Sequence, residues 1–239
     1  GGMANRDSSF AGLAPAVQWN GTLFMLLGSL SFVRYVQLAR GDARPLLQDS
    51  QIRTFLGIYL GLCAALVLAR MLNGTEIDGT SLREIAFNLA SVISTTGFAT
   101  TDYSLWGPMA EVIFFCAMMV CGCSGSTSGG PKVFRYQLLF GVIAAEVGRL
   151  HSPNLVHTPR FQGVPISNEL LDSVIAYFMM FLLTFGTGAV LLSLIGLDPV
   201  TSISAAIACL SNVGPGLGPI VGPAGSFAPL PDAAKWICS

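Results

Sequence analysis

Three short segments place glycine beside small, apolar or hydroxyl-bearing residues, a combination suited to binding a cation through backbone oxygens. The segments are Gly1-Gly2-Met3, Thr95-Thr96-Gly97-Phe98 and Asn212-Val213-Gly214-Pro215. Glycine has no Cβ and tolerates positive φ, so a chain built around it can turn successive carbonyl oxygens towards one axis. A ring of such carbonyls can replace the hydration shell of a potassium ion. We name these the amino-terminal, central and carboxy-terminal glycine segments and predict that they bind potassium.

A longer run of glycine and serine interrupts the third apolar stretch of the chain. This Gly/Ser loop reads Gly122-Cys123-Ser124-Gly125-Ser126-Thr127-Ser128-Gly129-Gly130. The apolar residues before it, 108–121, cover only about 21 Å as a helix, which is short of the ~30 Å hydrocarbon core. The loop is therefore expected to begin inside the membrane, where non-helical backbone must be buried in protein or face water. A flexible cytosolic linker is the alternative.

The Gly/Ser loop does not match the common catalytic loops. A phosphate-binding loop needs Gly-Lys-Ser/Thr, but Pro131 separates Gly130 from Lys132. A nucleophile elbow needs G-x-S-x-G, and neither residues 122–126 nor residues 125–129 fit that pattern. The six cysteines lack the spacing of a zinc site. We therefore expect no enzyme activity and no cofactor, with potassium as the substrate.

The composition indicates a membrane protein. Hydrophobic residues make up 52% of the chain and charged residues only 10%, whereas an average soluble domain carries about 25% charged residues. This number of charged residues is too small to cover the surface of a water-soluble globule of this length. Lipid is therefore expected to surround much of the protein. The net charge of −1 argues against a nucleic-acid partner, because such a chain offers no strong electrostatic footprint.

Apolar runs predict the elements that must position the glycine segments. Spanning helices are expected over residues 17–38, 54–72, 108–145 with the interruption, and 170–195, and a further helix from residue 227. Residues 81–94 and 199–210 are helical in pattern but too short to span. Ser81 with Glu84 forms a capping box for the first short helix, and Asp198 before Pro199 caps the second.

The placement of charge predicts which side each connection faces. Two basic regions, which carry Arg40, Arg44 and Arg53 and then Lys132, Arg135, Arg149 and Arg160, are expected to be cytoplasmic. The connections on the other side carry Glu76, Asp78, Asp102 and Asp198. This topology holds only if both short helices enter from the outside and return to it.

An internal repeat relates the glycine segments to one another. Gly2, Ala4 and Asp7 align with Gly97, Ala99 and Asp102, and Gly214 gives a looser third copy. The predicted unit is a span, a short re-entrant helix, an extended glycine segment and a second span. Ordinary glycine-rich turns between helices are the alternative interpretation.

The motifs resemble the Trk/Ktr/HKT superfamily of potassium transporters, and within it the bacterial TrkH family. The resembling residues are Ser94 to Asp102, Gly122 to Arg135 and Ser211 to Gly218. The resemblance implies an all-α membrane protein of four membrane–pore–membrane repeats with re-entrant pore helices and extended filter segments. It assigns residues 1–40 to the end of the second repeat, 41–150 to the third and 151–239 to the fourth, with filters at residues 95–100 and 211–218. The chain would then be an internal fragment of a pore subunit.

The same resemblance implies the setting of the protein. It implies a multi-pass protein of the bacterial inner membrane, a homodimer, and a cytosolic nucleotide-binding regulatory subunit like TrkA. It also implies that the Gly/Ser loop is a gate below the filter. Whether potassium moves passively or coupled to another ion stays open. The alternative function is a secondary transporter whose broken helices bind a small solute at the membrane midplane.

Overall fold

The computed structural model describes residues 8–151, 160–161 and 164–239. The helices are α1 Pro15–Gly28, α2 Phe32–Ala39, α3 Arg44–Gln48, α4 Ser50–Leu72, α5 Gly79–Ile93, a 3-10 helix Tyr103–Trp106, α6 Pro108–Met119, α7 Val133–His151, α8 Asn168–Leu194, α9 Pro199–Leu210 and α10 Asp232–Cys238. A small antiparallel hairpin joins β1 Arg160–Phe161 to β2 Val164–Pro165. The predominantly helical class predicted from the sequence is confirmed, with this hairpin as the strand element of the described chain.

Within the part of the chain that the structure describes, two single helices, α4 and α8, are long and apolar enough to cross a membrane. Only 22% of the most apolar window of α4 and 11% of that of α8 is buried within the protein. Apolar surface of this extent is costly in water and favourable in lipid. These two helices therefore present their outer faces as the expected lipid contact.

The first predicted span is not one helix. The sequence predicted a spanning helix over residues 17–38. The structure divides this run into α1 and α2, which meet at a bend of 95° and together are still apolar and long enough to count as one broken span. At the bend, the Ser29 carbonyl accepts a hydrogen bond from the Cys123 amide at 2.8 Å, and the Phe32 amide donates to the Gly125 carbonyl at 3.1 Å. Hydrogen bonds from the Gly/Ser loop thus replace the bonds that a continuous helix would make.

The short helices α5 and α9 form the buried centre of the protein. The side chains of nine α5 residues are buried, and α5 packs against α1, α4 and α6, whereas α9 packs against α8 and α6. Asp78, rather than the predicted Ser81, caps α5, and its carboxylate accepts from the Ser81 amide at 2.7 Å. Ser81 is therefore the third residue of the helix, not its cap. Helix α9 has its predicted bounds and its predicted cap, Asp198.

The last helix begins later than predicted. The apolar pattern placed its start at residue 227, but α10 begins at Asp232. Pro229 and Pro231 lie between these positions. A proline inside a helix removes a backbone donor and its ring clashes with the preceding turn, so the helix starts only after Pro231.

Candidate functional site

The central glycine segment leaves the end of α5 as a sharply turned, non-helical strand of backbone. Thr95 has a φ of 57° and Gly97 a φ of 85°. The amides of Thr96 and Gly97 both donate back to the Ser91 carbonyl, at 2.9 and 3.3 Å. Among the described residues, no hydrogen bond is made to the carbonyl oxygens of Thr95, Thr96, Gly97 or Phe98. The backbone amides of Thr96 and Gly97 thus bond to the end of α5, whereas the carbonyl oxygens of the segment are available to a ligand.

The carboxy-terminal glycine segment repeats this backbone geometry after α9. Asn212 has a φ of 56° and Gly214 a φ of 108°, so a left-handed non-glycine residue is again followed two positions later by a left-handed glycine. The Val213 amide donates to the Ala208 carbonyl at 2.8 Å, which is the bond made by Thr96 in the central segment. Two sequences that share few side chains therefore fold into the same helix-to-strand junction.

A buried asparagine holds the far end of the central segment. The Asn88 side chain is fully buried. Its carbonyl oxygen accepts from the Thr100 amide at 3.0 Å, and its amide nitrogen donates to the Thr100 hydroxyl at 2.8 Å. The sequence prediction did not include Asn88, although an amide side chain in a short apolar helix is a signal that could have been used.

Residues next to the amino-terminal segment pack against the central one. The Phe10 amide donates to the Ala99 carbonyl at 3.0 Å, and the Ala99 amide donates to the Ser9 hydroxyl at 3.1 Å. Gly12 and Gly107 are separated by the same number of residues as Gly2 and Gly97. Both Gly12 and Gly107 have positive φ. The repeat therefore continues into the described part of the chain. The predicted site residues Gly1, Gly2 and Met3 themselves lie outside the described residues.

The Gly/Ser loop contacts the start of the central segment directly. The Ser128 hydroxyl donates to the Ser94 carbonyl at 3.1 Å, and the Gly129 amide donates to the Thr95 hydroxyl at 2.8 Å. On its other side, Gly129 approaches the end of α9 so closely that an added Cβ would lie 2.6 Å from the Ser211 carbonyl oxygen. The loop is therefore in contact with the helix ends that precede two glycine segments.

The remainder of the Gly/Ser loop is anchored to the bend between α1 and α2 and to α4. The Thr127 hydroxyl and amide both donate to the Gly28 carbonyl, at 3.1 and 3.2 Å. The Ser124 amide donates to the side-chain carbonyl of Gln51 at 3.0 Å. The Val133 amide, at the start of α7, donates to the Gly122 carbonyl at 3.2 Å. A run with these contacts is a folded element rather than an unstructured linker.

The electrostatics of the short helices favour a cation at the glycine segments. Asp78 and Asp198 cap the helix starts, and the helices end at the central and carboxy-terminal segments, where the helix dipole is partly negative. Hydrogen bonding from the Ser81 amide lowers the pKa of Asp78 below its ordinary value. Hydrogen bonding from the Thr201 side chain and amide lowers that of Asp198. Both carboxylates therefore stay ionised at neutral pH and keep the helix starts fixed.

Comparisons with known proteins agree with the helical fold and the glycine motifs. The family model TrkH, described as a cation transport protein, matches residues 1–239. The chain is 45% identical to the Trk system potassium uptake protein TrkI of Halomonas elongata, over 99% of this chain and 48% of that protein. It is 28% identical to the Trk system potassium uptake protein TrkH of Salmonella typhimurium, over 99% of this chain and 49% of that one.

A solved structure extends the likeness to three dimensions. The crystal structure of the potassium transporter TrkH from Vibrio parahaemolyticus superimposes with a TM-score of 0.89 at 28% identity, covering 100% of this chain and 51% of the other. The chain spans about half of the length of the relatives that it matches. The resemblance inferred from the motifs is confirmed.

Proposed function

The chain belongs to the TrkH family of cation transport proteins, and we propose that it forms part of a pore that transports potassium across a membrane. The observation that carries the proposal is the backbone shared by the central and carboxy-terminal glycine segments. In both, an amide is tied to the preceding helix, and a left-handed glycine follows two residues after a left-handed Thr95 or Asn212. The names of the relatives supply the identity of the ion, because they are potassium uptake proteins.

Backbone carbonyls suit potassium for a physical reason. Potassium is a large monovalent ion whose water shell can be replaced by several neutral oxygens. A carboxylate ring would bind it more strongly and release it more slowly, and neither described glycine segment contains a carboxylate. The proposed filter comprises Gly1-Gly2-Met3, Thr95-Thr96-Gly97-Phe98 and Asn212-Val213-Gly214-Pro215, and the four-repeat architecture expected from the resemblance would contribute a fourth segment.

The Gly/Ser loop is the proposed gate of this pore. Its contacts with Ser94, Thr95 and Ser211 support this role, because they bring a folded non-helical segment to the ends of α5 and α9, which are the proposed pore helices. In the membrane such backbone is stable only when it is buried in protein or lines water. The proposed repeats are residues 1–40, 41–150 and 151–239. Movement of the loop away from the helix ends would open the path below the filter.

The setting follows from the family and from charge. The protein lies in the bacterial inner membrane with the basic connections on the cytoplasmic side. It forms a homodimer and binds a cytosolic nucleotide-binding subunit of the TrkA type. The main support for this setting is the family membership, because the relatives are named as proteins of Trk systems.

Uptake by an intact transporter containing this chain tests the filter. Cells lacking potassium uptake and carrying the full-length gene should grow at low external potassium and accumulate rubidium. Gly97→Ser should lower the preference for potassium over sodium, because a side chain at a φ of 85° strains the carbonyl array. Gly61→Ser in α4 is the matched control, because it faces open space.

Potassium and sodium uptake must be compared in the same cells. An unchanged ratio of potassium to sodium uptake in the Gly97→Ser protein would refute the filter assignment. Accumulation of an organic solute that does not depend on Gly97 would instead favour the secondary-transporter alternative.

A further inference from the structure

Lys132 follows the Gly/Ser loop after Pro131, and its side chain folds back over the loop. Its side chain is half-buried, and its ammonium nitrogen lies 3.4 Å from the Ser126 carbonyl oxygen and 3.3 Å from the Ser126 hydroxyl. It also donates to the Ser128 carbonyl oxygen. An ammonium group has three donors and no acceptor. The three oxygens of the loop therefore match its three donors.

The partners of Lys132 differ in kind from the main partners of two other basic residues, Arg34 and Arg135. Arg34 pairs with the Asp49 carboxylate at 2.6 Å, and Arg135 lies 3.8 Å above the Tyr177 ring. Lys132 instead holds two backbone carbonyls and a hydroxyl. Neutral oxygens of this type are the ligands that a dehydrated potassium ion also uses. The loop thus presents a small cation site that the protein fills with its own side chain.

The same site is linked to the filter. Ser128 accepts from Lys132 through its carbonyl, and its hydroxyl donates to the Ser94 carbonyl at the end of α5. The next amide, that of Gly129, donates to Thr95. The ammonium group therefore orients the backbone of the two loop residues that touch the central glycine segment.

We propose that Lys132 is a positioning residue that acts as a tethered cation and locks the Gly/Ser loop against the pore helix. The ammonium occupies the Ser126 and Ser128 oxygens, holds the loop in its packed conformation and excludes a potassium ion from the same oxygens. Loss of the charge leaves these carbonyls without their donor and releases the loop. This role rests on the proposed function of the loop as a gate.

A cysteine inside the loop reports on its position without reference to transport. The Cys123 side chain is fully buried, so its labelling is expected to be slow while the loop is packed. In membrane vesicles of the full-length transporter, a charged, membrane-impermeant thiol reagent should label Cys123 several-fold faster in Lys132→Met than in the wild type. Mass spectrometry of the peptides assigns the label to each cysteine.

Two further variants separate the lock from a general effect of charge. Arg135→Met removes a positive charge three residues later in the sequence, from a side chain that stacks on Tyr177, and should label like the wild type. Lys132→Arg keeps a cation and should restore slow labelling. If Lys132→Met fails to insert in the membrane, Lys132→Gln removes the charge with a smaller change in polarity and takes its place.

The outcomes distinguish the lock from the gate. Equal Cys123 labelling in the Lys132→Met and Arg135→Met proteins would overturn the lock. Fast labelling together with raised rubidium uptake supports both the lock and the gate. Fast labelling with wild-type uptake supports the lock and instead refutes the role of the loop as a gate.

Discussion

A single added methyl group at Gly129 should release the Gly/Ser loop from the end of α9. A Cβ built at this position would lie 2.6 Å from the Ser211 carbonyl oxygen and 3.0 Å from the Asn212 Cβ. Ordinary van der Waals contacts begin at 3.4 Å. The Ser211 oxygen belongs to the backbone, so it cannot rotate away as a side chain would. The Gly129 φ lies outside the left-handed region, so Gly129→Ala tests the contact without adding backbone strain.

The size of the effect follows from the cost of overpacking. Inserting a methyl group into a well-packed site costs about 1–3 kcal/mol. Since each 1.36 kcal/mol is a factor of ten, the ratio of packed to released loop should fall by about 5- to 150-fold. If the packed loop limits conduction, potassium flux should rise by up to that factor, until another step limits it.

Rubidium uptake into potassium-depleted cells, normalised to transporter in the membrane, measures the change. Gly141→Ala is the matched control, because Gly141 lies in α7 and an added Cβ there meets nothing within 4 Å. The ratio of potassium to sodium uptake should be measured in the same experiment. A released loop raises uptake and preserves the ratio, whereas a displaced carboxy-terminal glycine segment lowers the ratio.

Gly129→Ala should differ from Gly141→Ala in uptake, in ion preference or in both, and equal values of both would refute the predicted release. Such a result would mean that the close contact between the loop and α9 does not restrain either element.

Three further perturbations test other contacts of the site. Deleting residues 124–129 should raise flux by removing the constriction, and unchanged flux would contradict the gate. Asn88→Ala leaves the buried Thr100 amide without its acceptor, so it should lower stability by about 1–3 kcal/mol and weaken ion preference; a wild-type melting temperature would argue against this support. The folded-state pKa of Asp78 is lowered from 3.8 by its bond from Ser81, so its stabilising effect is present above that ordinary value and is lost as the pH falls through the folded pKa. The melting temperature should therefore fall in acid. In Asp78→Asn, whose asparagine still caps the helix, the melting temperature should fall less.

Local sequence accounts for the helix starts that carry strong signals. Asp198 followed by Pro199 gives α9 its cap and its first turn, because an aspartate accepts from the free amides and proline has no amide to satisfy. At α5 two cap signals lie three residues apart, and both Asp78 and Ser81 fit the local rule. The structure uses Asp78, a choice that the local pattern alone did not make.

Hydropathy alone did not reveal the bend between α1 and α2. An apolar run indicates that a segment favours lipid, but it does not indicate whether the helix bends within the run. Residues 17–38 were therefore interpreted as one span. The bend is stabilised by bonds to Cys123 and Gly125, which are distant in sequence. Such partners become visible only when the chain has folded.

By itself, the sequence determined the helical class, the family and the positions of the glycine segments and the Gly/Ser loop. These features depend on the composition and on the positions of glycines, which lack a Cβ. Both can be recognised within short stretches of the sequence. Only the tertiary structure decided which groups hold them: Asn88 under Thr100, Gly129 against Ser211, and Lys132 over the loop. The physical reason is that a hydrogen bond or a close contact depends on two positions at once, and for most of these groups the partner is set by how distant helices pack.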